Sequence, residues 1–425
     1  MLPWAHFLPL VTVVMLVACG GDIAAAPPTS HLTTGAADTA VSDGKIVQPA
    51  IGVMPFATPG APAVTVGPTA PPGWLRDGWK TNISRRTVDL REIRSGGPPR
   101  DGIPPIDHPQ FVAPSEADTW IGDTEPVVAL EIGGEARAYP LQILTWHEIV
   151  NDVVGGAPVT VTFCPLCNTA IAYDRSLGGT VLDFGTSGLL RESNLVMWDR
   201  QTESLWQQFT GEAIVGDLAG KTLERLPVLI ISYAEFKASY PVGSRVLSRD
   251  TGARRPYGTN PYAGYDRADQ SPFLFDGTPD TRLAPMERVV TVGLNGQYAA
   301  YAYASLAQKR VVNDTVGGRG VVVVWRSGTV SALDRDQIAA SRDVGATAVY
   351  DATLDGRALT FAPLAGESTE PGAAFFRDNE TGSGWTLTGK AVSGPLAGVQ
   401  LASIVHGDEF WFVWAAFLPA TGVRQ

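Results

Sequence analysis

The chain contains an internal repeat, and this feature limits the fold more than any other. Val127 to Cys164 aligns without a gap to Val289 to Arg326, and 14 of these 38 positions are identical. Two further blocks recur in the same order, one beginning at Thr169 and again at Thr347, the other at Asp199 and again at Asp378. Ordered recurrence of this kind predicts one structural unit used twice.

The repeated blocks have the patterns of β-strands. VVALEIGGEARAY places two β-rich runs around Gly133-Gly134, which predicts a hairpin. PVTVTF and VVVVW predict further strands, and AIAYDR with TVLDF predicts a second hairpin. Residues 142–150 have the spacing of a short helix. We therefore expect a mainly β fold, made of two diverged copies of a β-rich module with few short helices.

Two segments precede the repeats. Residues 1–18 are mostly apolar from Phe7 onward and end in Leu-Val-Ala before Cys19, which predicts a signal peptide and lipidation of Cys19 at a bacterial cell envelope. An ordinary secretory signal followed by an incidental cysteine is the alternative. Residues 19–80 are rich in Ala, Pro, Thr and Gly, which predicts a disordered tether. The first module is then expected over 81–280 and the second over 281–425.

Charge and missing motifs exclude several classes of function. The net charge is -11 and no dense Lys/Arg block occurs, so neither nucleic acid nor an anionic membrane surface is an expected partner. Membrane contact is expected through the lipid anchor only. No Walker loop, HExxH or G-x-S-x-G motif is present. The expected partner is a small molecule, or a protein that exchanges electrons or a metal with this one.

Residues shared by both copies are most simply structural. Trp206 and Trp385 fit a buried anchor in each module. Asn-Asp pairs at 151–152 and 313–314 each precede Gly-Gly, which predicts a tight turn capped by a side chain.

Residues found in the first copy alone are better candidates for function. Trp146-His147-Glu148 faces Gln-Lys-Arg in the second copy, and Cys164 and Cys167 face Arg326 and Thr329. In the second copy the Cys-Pro-Leu-Cys turn is replaced by the longer stretch 326–345. The second copy is therefore expected to be structural, covering one face of the first.

Cys164-Pro165-Leu166-Cys167 lies between two predicted strands and has three interpretations. It can be a redox couple, because two sulfurs at this spacing close a small ring. It can be part of a metal site for copper, zinc or iron with His147 as third ligand, and soft thiolates favour copper. It can also be a plain structural disulfide in an oxidising compartment, although so short a loop stabilises a fold by only about 2 kcal/mol. His147 is alternatively a proton acceptor, or a hydrogen-bonded core residue.

Two further features belong to the first copy. Arg191 is a candidate for holding an anion or lowering a thiol pKa, and a surface salt bridge is the alternative. The stretch Ser248 to Tyr265, rich in Arg, Tyr, Pro and Gly, is a candidate lid over a site. Its alternative is an interdomain connector packed by its tyrosines.

Three long motifs carry a family resemblance. WHEIVNDVVGGAPVTVTFCPLCNTAIAYDR, FGTSGLLRESNLVMWDRQTESLWQQFTGEAIVG and LSRDTGARRPYGTNPYAGY together resemble the bacterial family called domain of unknown function 3179. The resemblance is strong over about residues 85–270 and extends through the second module. Relatives named as selenoproteins carry selenocysteine in the Cys-x-x-Cys region, which implies redox chemistry at Cys164 or Cys167. The resemblance supplies no catalytic residues.

The leading hypothesis is a thiol-dependent oxidoreductase of the cell envelope. Cys164 and Cys167 would be the redox pair or metal ligands, His147 a ligand or proton acceptor, and Arg191 an electrostatic support. A copper or zinc transfer protein is one alternative. A non-catalytic envelope scaffold with a structural disulfide is the other.

Overall fold

The computed structural model describes residues 41–42, 45–46, 63–67, 70–76, 78–366 and 368–424. The predicted signal peptide, Cys19 and most of the predicted tether lie outside these residues. Among the helices of the described ranges, none combines the length and apolar character needed to cross a bilayer.

The first repeat is built mainly from antiparallel strands, with short helices between them. Its main elements are β1 (Pro126–Ile132), β2 (Glu135–Pro140), α1 (Leu141–His147), β3 (Ile149–Val154), β4 (Ala157–Cys164), β5 (Thr169–Asp174), β6 (Phe184–Arg191), β7 (Asn194–Asp199), β8 (Leu229–Ser232) and α2 (Tyr233–Ser239). The hairpins β1–β2 and β3–β4 turn at Gly133-Gly134 and Gly155-Gly156, where all four φ angles are positive. Such two-residue turns favour glycine, which explains the Gly-Gly pairs.

The second repeat has the same order of elements. They are β9 (Arg288–Leu294), β10 (Gln297–Ala302), α3 (Tyr303–Lys309), β11 (Val311–Val316), β12 (Arg319–Arg326), β13 (Ala346–Asp351), β14 (His406–Phe410) and α4 (Trp411–Phe417). Short strands complete the sheets of the chain: Val41–Ser42, Lys45–Ile46, Thr65–Val66, Arg85–Arg86, Arg94–Ser95, Phe111–Val112, Ser176–Leu177, Thr180–Val181, Leu205–Gln207, Ala213–Val215, Glu224–Leu226, Arg245–Leu247, Thr353–Leu354, Arg357–Ala358, Phe361–Pro363, Phe376–Asp378, Gly384–Trp385, Ala391–Ser393 and Gly422–Arg424. The α-helix Pro114–Ala117 and 3-10 turns at Gly73–Arg76, Leu90–Glu92 and Ile338–Ala340 are the remaining helical elements. The expected mainly β fold with two diverged copies and few short helices is confirmed.

Equivalent sheets in the two repeats share their strand order. β8 pairs with β1, which pairs with β2, and β2 runs parallel to Arg245–Leu247. In the same way β14 pairs with β9, β9 with β10, and β10 runs parallel to Gly422–Arg424. A second sheet in each repeat contains β3, β4 and β5, or β11, β12 and β13. A third contains β6 and β7, or the short strands between Phe361 and Ser393.

Residues shared by the repeats make the same contacts in both. Trp206 and Trp385 are fully buried, as predicted, and their indole N–H groups donate to Asp199 at 2.9 Å and Asp378 at 3.0 Å. The repeated asparagines, however, do not cap their own turns. The Asn151 side chain bonds to the backbone of Phe184, and that of Asn313 bonds to Phe361, so each ties two sheets together.

Each of the two main hydrophobic cores contains residues of both repeats. Helix α4 of the second repeat places Trp411 and Trp414 in the core that contains Phe163 and Trp206 of the first. Helix α2 of the first repeat enters the core that contains Trp385 of the second. Each repeat thus buries apolar surface of the other, which stabilises the pair beyond what either core supplies.

Two local predictions differ from the structure. The helix expected over 142–150 spans Leu141–His147, and Glu148 ends it with a left-handed φ of 59° before β3 begins. The hairpin expected from AIAYDR and TVLDF is reduced to Ser176–Leu177 paired with Thr180–Val181. The long strand β5 pairs instead with β4, because that pairing extends over six residue pairs.

Candidate functional site

The two cysteines lie together at the end of β4. Cys164 is the last residue of the strand, opposite Thr169 of β5, and the Cys167 N–H donates to the Cys164 carbonyl at 3.2 Å. The two Sγ atoms are 3.1 Å apart, and both thiols are free. Cys164 is 2% exposed and Cys167 is 0% exposed. Sulfurs this close need little movement to reach the ~2.05 Å of a disulfide bond.

A buried polar network surrounds Cys167. Its thiol donates to the Ser193 carbonyl at 3.3 Å and accepts from the Asn194 amide at 3.3 Å. The Asn194 amide also donates to Gln208 at 2.8 Å, and its oxygen accepts from Gln207 at 2.6 Å. All four partners are buried. The network therefore fixes the sulfur through groups whose own positions are determined by hydrogen bonds.

The hairpin between β6 and β7 brings this network to the thiols. Arg191 pairs with Asn194 across the turn, and Glu192 and Ser193 between them have φ angles of 50° and 59°. Residues other than glycine adopt this left-handed region at a cost. The turn aims the Ser193 carbonyl and the Asn194 side chain at Cys167.

Burial controls the protonation of Cys167. It raises the pKa of this thiol well above the ordinary value, and the hydrogen bond and charge of Cys164 raise it further, while the amide of Asn194 lowers it. Cys167 is therefore a neutral thiol at neutral pH while the site is closed.

The second repeat fills the equivalent place with a different structure. Arg326, which aligns with Cys164, forms a buried ion pair with Glu235 at 3.1 Å and donates to the carbonyls of Ser368 and Glu370. Leu387 takes the place of Gln208, since Tyr350 donates to its carbonyl as Tyr173 does to that of Gln208. The two cysteines and the amide network around Cys167 thus belong to the first repeat and have no equivalent in the second.

His147 is buried and both of its ring nitrogens have partners. Nδ1 lies 2.6 Å from the Pro104 carbonyl, so it carries the proton and donates. Nε2 then accepts from the Tyr257 hydroxyl at 2.5 Å. Burial lowers the pKa of His147, which keeps the ring neutral. These hydrogen bonds join His147 to the Ser248 to Tyr265 stretch, and neither goes to a sulfur.

Arg191 lies beside the hairpin turn and pairs with an acid. Its guanidinium is 2.7 Å from the Glu92 carboxylate, and a weaker hydrogen bond of 3.4 Å goes to Gln207. It also lies over the Phe417 ring at 5.3 Å. This is the salt bridge that the sequence offered as the alternative role, and it fixes the outer side of the hairpin that holds Cys167.

Glu148 is a buried acid beside this site, and the repeat indicated it together with Trp146 and His147 without a role of its own. It is 8% exposed, and its backbone carbonyl accepts from Phe163, the residue before Cys164. In the part of the chain that the structure describes, its carboxyl makes no hydrogen bond or ion pair. Burial raises its pKa to about 8. In the sequence, Glu148 is indicated by its replacement in the second copy, which has Arg310 at the equivalent position.

Two tyrosines of the Ser248 to Tyr265 stretch, Tyr262 and Tyr265, pack against the hydrophobic core that contains Cys164 and Cys167. Burial raises the pKa of each phenol. Tyr265 also packs edge-on against Phe410, whose N–H donates to the Cys167 carbonyl at 2.9 Å. The stretch therefore packs next to the thiols.

The donor set does not fit a metal ion. Within the described ranges, no group of three or more His, Cys, Asp or Glu side chains is arranged to hold one. Two thiolates on one tetrahedral zinc at ~2.3 Å would be about 3.8 Å apart. The observed separation of 3.1 Å is shorter, so the sulfurs would have to move apart.

Two cavities of the described residues lie away from the thiols. One has a volume of about 910 Å³ and lies between residues 65–74 and 86–94. A smaller one of about 260 Å³ is lined by Trp325, Arg288 and neighbouring residues of the second repeat. Neither is lined by Cys164 or Cys167, so the chemistry of the sulfurs, rather than cavity size, identifies the candidate site.

The comparison of the two copies could have found more of the site. Asn194, Gln207 and Gln208 lie in or next to a block that recurs, yet the second copy has Thr386 and Leu387 after its tryptophan. The role of Ser193 could not be predicted from its residue type, because it contacts Cys167 through its backbone carbonyl.

Comparison with known proteins identifies a family without a known activity. No curated protein and no solved structure is significantly similar to the chain. The family model described as "Protein of unknown function (DUF3179)" matches residues 100–421, which includes both repeats and the thiol site. The chain therefore belongs to the DUF3179 family.

Proposed function

We propose that this chain is an exported thiol redox protein in which Cys164 and Cys167 cycle between dithiol and disulfide. The observation that supports this most is the 3.1 Å separation of the sulfurs inside a polar network absent from the second repeat. A repeat that keeps its framework but loses sulfurs, amides and carbonyl contacts together is expected if those groups serve chemistry. The chain would be held at the cell envelope by a lipid on Cys19.

The environments of the two sulfurs suggest separate roles. Cys164, at the strand end, would attack a disulfide of the partner as the thiolate, forming a mixed disulfide and releasing one partner thiolate, which takes up a proton. Cys167 would then lose its proton and attack the Cys164 sulfur. This step releases the second partner thiolate and closes the Cys164–Cys167 bond. The pair loses two electrons, and the partner disulfide gains them to become two thiols.

The other predicted residues act by support in this proposal. Arg191, paired with Glu92, would hold the hairpin that carries Ser193 and Asn194. His147 would anchor the covering stretch through Tyr257. Neither residue needs to contact the reacting sulfurs, so substituting either should leave the two-electron transition of the pair in place, whereas substituting a cysteine should remove it.

A redox titration tests the proposal. The full chain carrying Cys19→Ser, with only the pair left, is equilibrated in thiol–disulfide buffers of graded potential, and free thiols are counted. A redox pair should titrate reversibly as two thiols, at a potential above roughly -300 mV, with native circular dichroism throughout. Cys164→Ser and Cys167→Ser variants are the controls and should show no two-electron transition.

Burial of both sulfurs favours a second candidate, a non-catalytic envelope scaffold with a structural disulfide. The same titration separates the two. A bond that resists reduction until the chain unfolds would support the scaffold and contradict the redox proposal.

A further inference from the structure

The segment between the two repeats has no regular structure. Residues 248–287 lie between Arg245–Leu247 and β9, all are described, and none belongs to a helix or a strand of a sheet. Irregular segments of this length inside a packed fold are uncommon and often serve as lids. Its first part, 248–266, carries Tyr262 and Tyr265, which pack against the core that contains both cysteines, and Tyr265 contacts Phe410, whose N–H donates to the Cys167 carbonyl.

The first repeat holds one side of this segment. The Tyr257 hydroxyl bonds to His147 at 2.5 Å, and Thr251 in turn lies 2.5 Å from the same hydroxyl. The indole N–H of Trp146 donates to the Thr259 carbonyl at 3.1 Å. Trp146 and His147 are absent from the second copy, as the cysteines are. Their shared occurrence is explained if they serve to hold the cover of the thiols.

The second repeat holds the other side with the stretch that replaced its Cys-Pro-Leu-Cys turn. Asn260 N–H donates to the Asp336 carbonyl at 2.8 Å, and Gly264 N–H donates to the Asp334 carbonyl at 2.7 Å. Ile338 N–H donates to the Gly258 carbonyl at 3.0 Å. Three backbone hydrogen bonds thus join residues 334–338 to the covering segment.

Asp266 is the strongest of these attachments. Its side chain is fully buried and lies 2.8 Å from both Arg288 and Arg342. The Ser331 hydroxyl donates to the same carboxylate at 2.5 Å. All three partners belong to the second repeat. A buried carboxylate with two guanidinium groups is costly to release, because opening leaves charges without partners.

We propose that residues 248–266 are a lid over Cys164 and Cys167, and that the second repeat acts as its latch through Asp266 and residues 334–338. The second repeat then controls access to the sulfurs of the first. Opening admits water and a reaction partner to thiols that are 2% and 0% exposed when the lid is closed. The lid controls access to the sulfurs and does not require them to be redox-active. The lid can therefore be confirmed or refuted independently of the proposed function.

The experiment measures the rate at which a small alkylating reagent labels the two thiols. The full chain carries Cys19→Ser and is reduced beforehand, with refolding from denaturant if mild reduction is insufficient. Asp266→Asn weakens the latch, and Tyr257→Phe weakens the attachment to His147. Glu235→Gln is the matched control, since it breaks the buried ion pair with Arg326, which does not hold the lid.

The native chain should be labelled at least a hundredfold more slowly than the unfolded chain. Asp266→Asn should speed labelling about tenfold or more and Tyr257→Phe less, with circular dichroism unchanged, while Glu235→Gln stays near the native rate. The proposal is overturned if the native chain is labelled as fast as the unfolded one. It is also overturned if Asp266→Asn has no effect, or if Glu235→Gln speeds labelling equally, because access would then follow general unfolding.

Discussion

Replacing Glu148 by Gln should make the stability of the chain less dependent on pH. Burial raises the pKa of this carboxyl from 4.5 to about 8, and none of the residues that the structure describes bonds to it to offset the cost of ionising it. Between these values the folded state keeps a proton that the unfolded chain has lost. Stability contributed by the neutral acid is therefore fully present below pH 4.5 and is lost as pH rises toward 8. Glutamine keeps the shape of the side chain and cannot ionise.

The size of the effect follows from the shift. A difference of about 3.5 units, from 4.5 to about 8, corresponds to roughly 4 to 5 kcal/mol at 1.36 kcal/mol per unit. The difference between the free energies of unfolding of the Glu148→Gln chain and the native chain should therefore rise by several kcal/mol from pH 5 to pH 9, in favour of the variant. Other groups that titrate in this range are common to both chains and cancel in the difference.

Urea unfolding of reduced protein at pH 5, 6, 7, 8 and 9 provides the measurement. Glu135→Gln is the control, because Glu135 is partly exposed, is bonded to Arg137 and Gly155, and has a lowered pKa. Its effect should be nearly constant over this range, since it titrates mostly below pH 5. A Glu148→Gln difference that is equally flat would refute the reasoning and show that the carboxyl is ionised in the folded protein.

Two further substitutions test the packing of the site and of the second repeat. Asn194→Leu removes the amide donor to Cys167, so the pKa of the thiol should rise. The pH profile of alkylation should then shift to higher pH, and labelling should be about tenfold slower at pH 8. An unchanged profile would contradict the contact. Gly345→Ala should lower the free energy of unfolding by about 2 to 3 kcal/mol, because φ is 79° and a Cβ atom would lie 2.3 Å from the Trp325 ring. Urea unfolding checks this, and Gly356→Ala, with a similar φ of 76° and open space, isolates the clash from the backbone cost.

Much of the local structure could be predicted from sequence patterns. Strand alternation and Gly-Gly pairs indicated the hairpin around Gly133 and the tight turn at Gly155, because side-chain period and left-handed φ are local properties. The partners of Asn151 could not be predicted in this way. Its side chain reaches Phe184, and such a contact depends on how two sheets pack rather than on neighbours in the chain.

The candidate site shows the same division. The repeat comparison indicated Cys164, Cys167 and His147, since their loss from one copy is visible in the letters alone. It could not indicate that the His147 ring bonds to Tyr257, or that a backbone carbonyl at Ser193 receives the Cys167 thiol. Every residue has a backbone carbonyl, so the sequence does not distinguish the one that accepts a hydrogen bond from Cys167. Its role is determined by the turn that places it next to the thiol.

The amino-acid sequence alone thus determined the strand and turn pattern, the duplication, and which residues differ between the copies. Tertiary structure decided which of those residues meet. It brought the two sulfurs together in a core against which Tyr262 and Tyr265 pack, turned His147 toward Tyr257, and brought Asp266 to two arginines of the other repeat. The physical reason is that patterning acts over a few residues, whereas burial, ion pairing and pKa depend on groups that approach one another only after the sheets have packed.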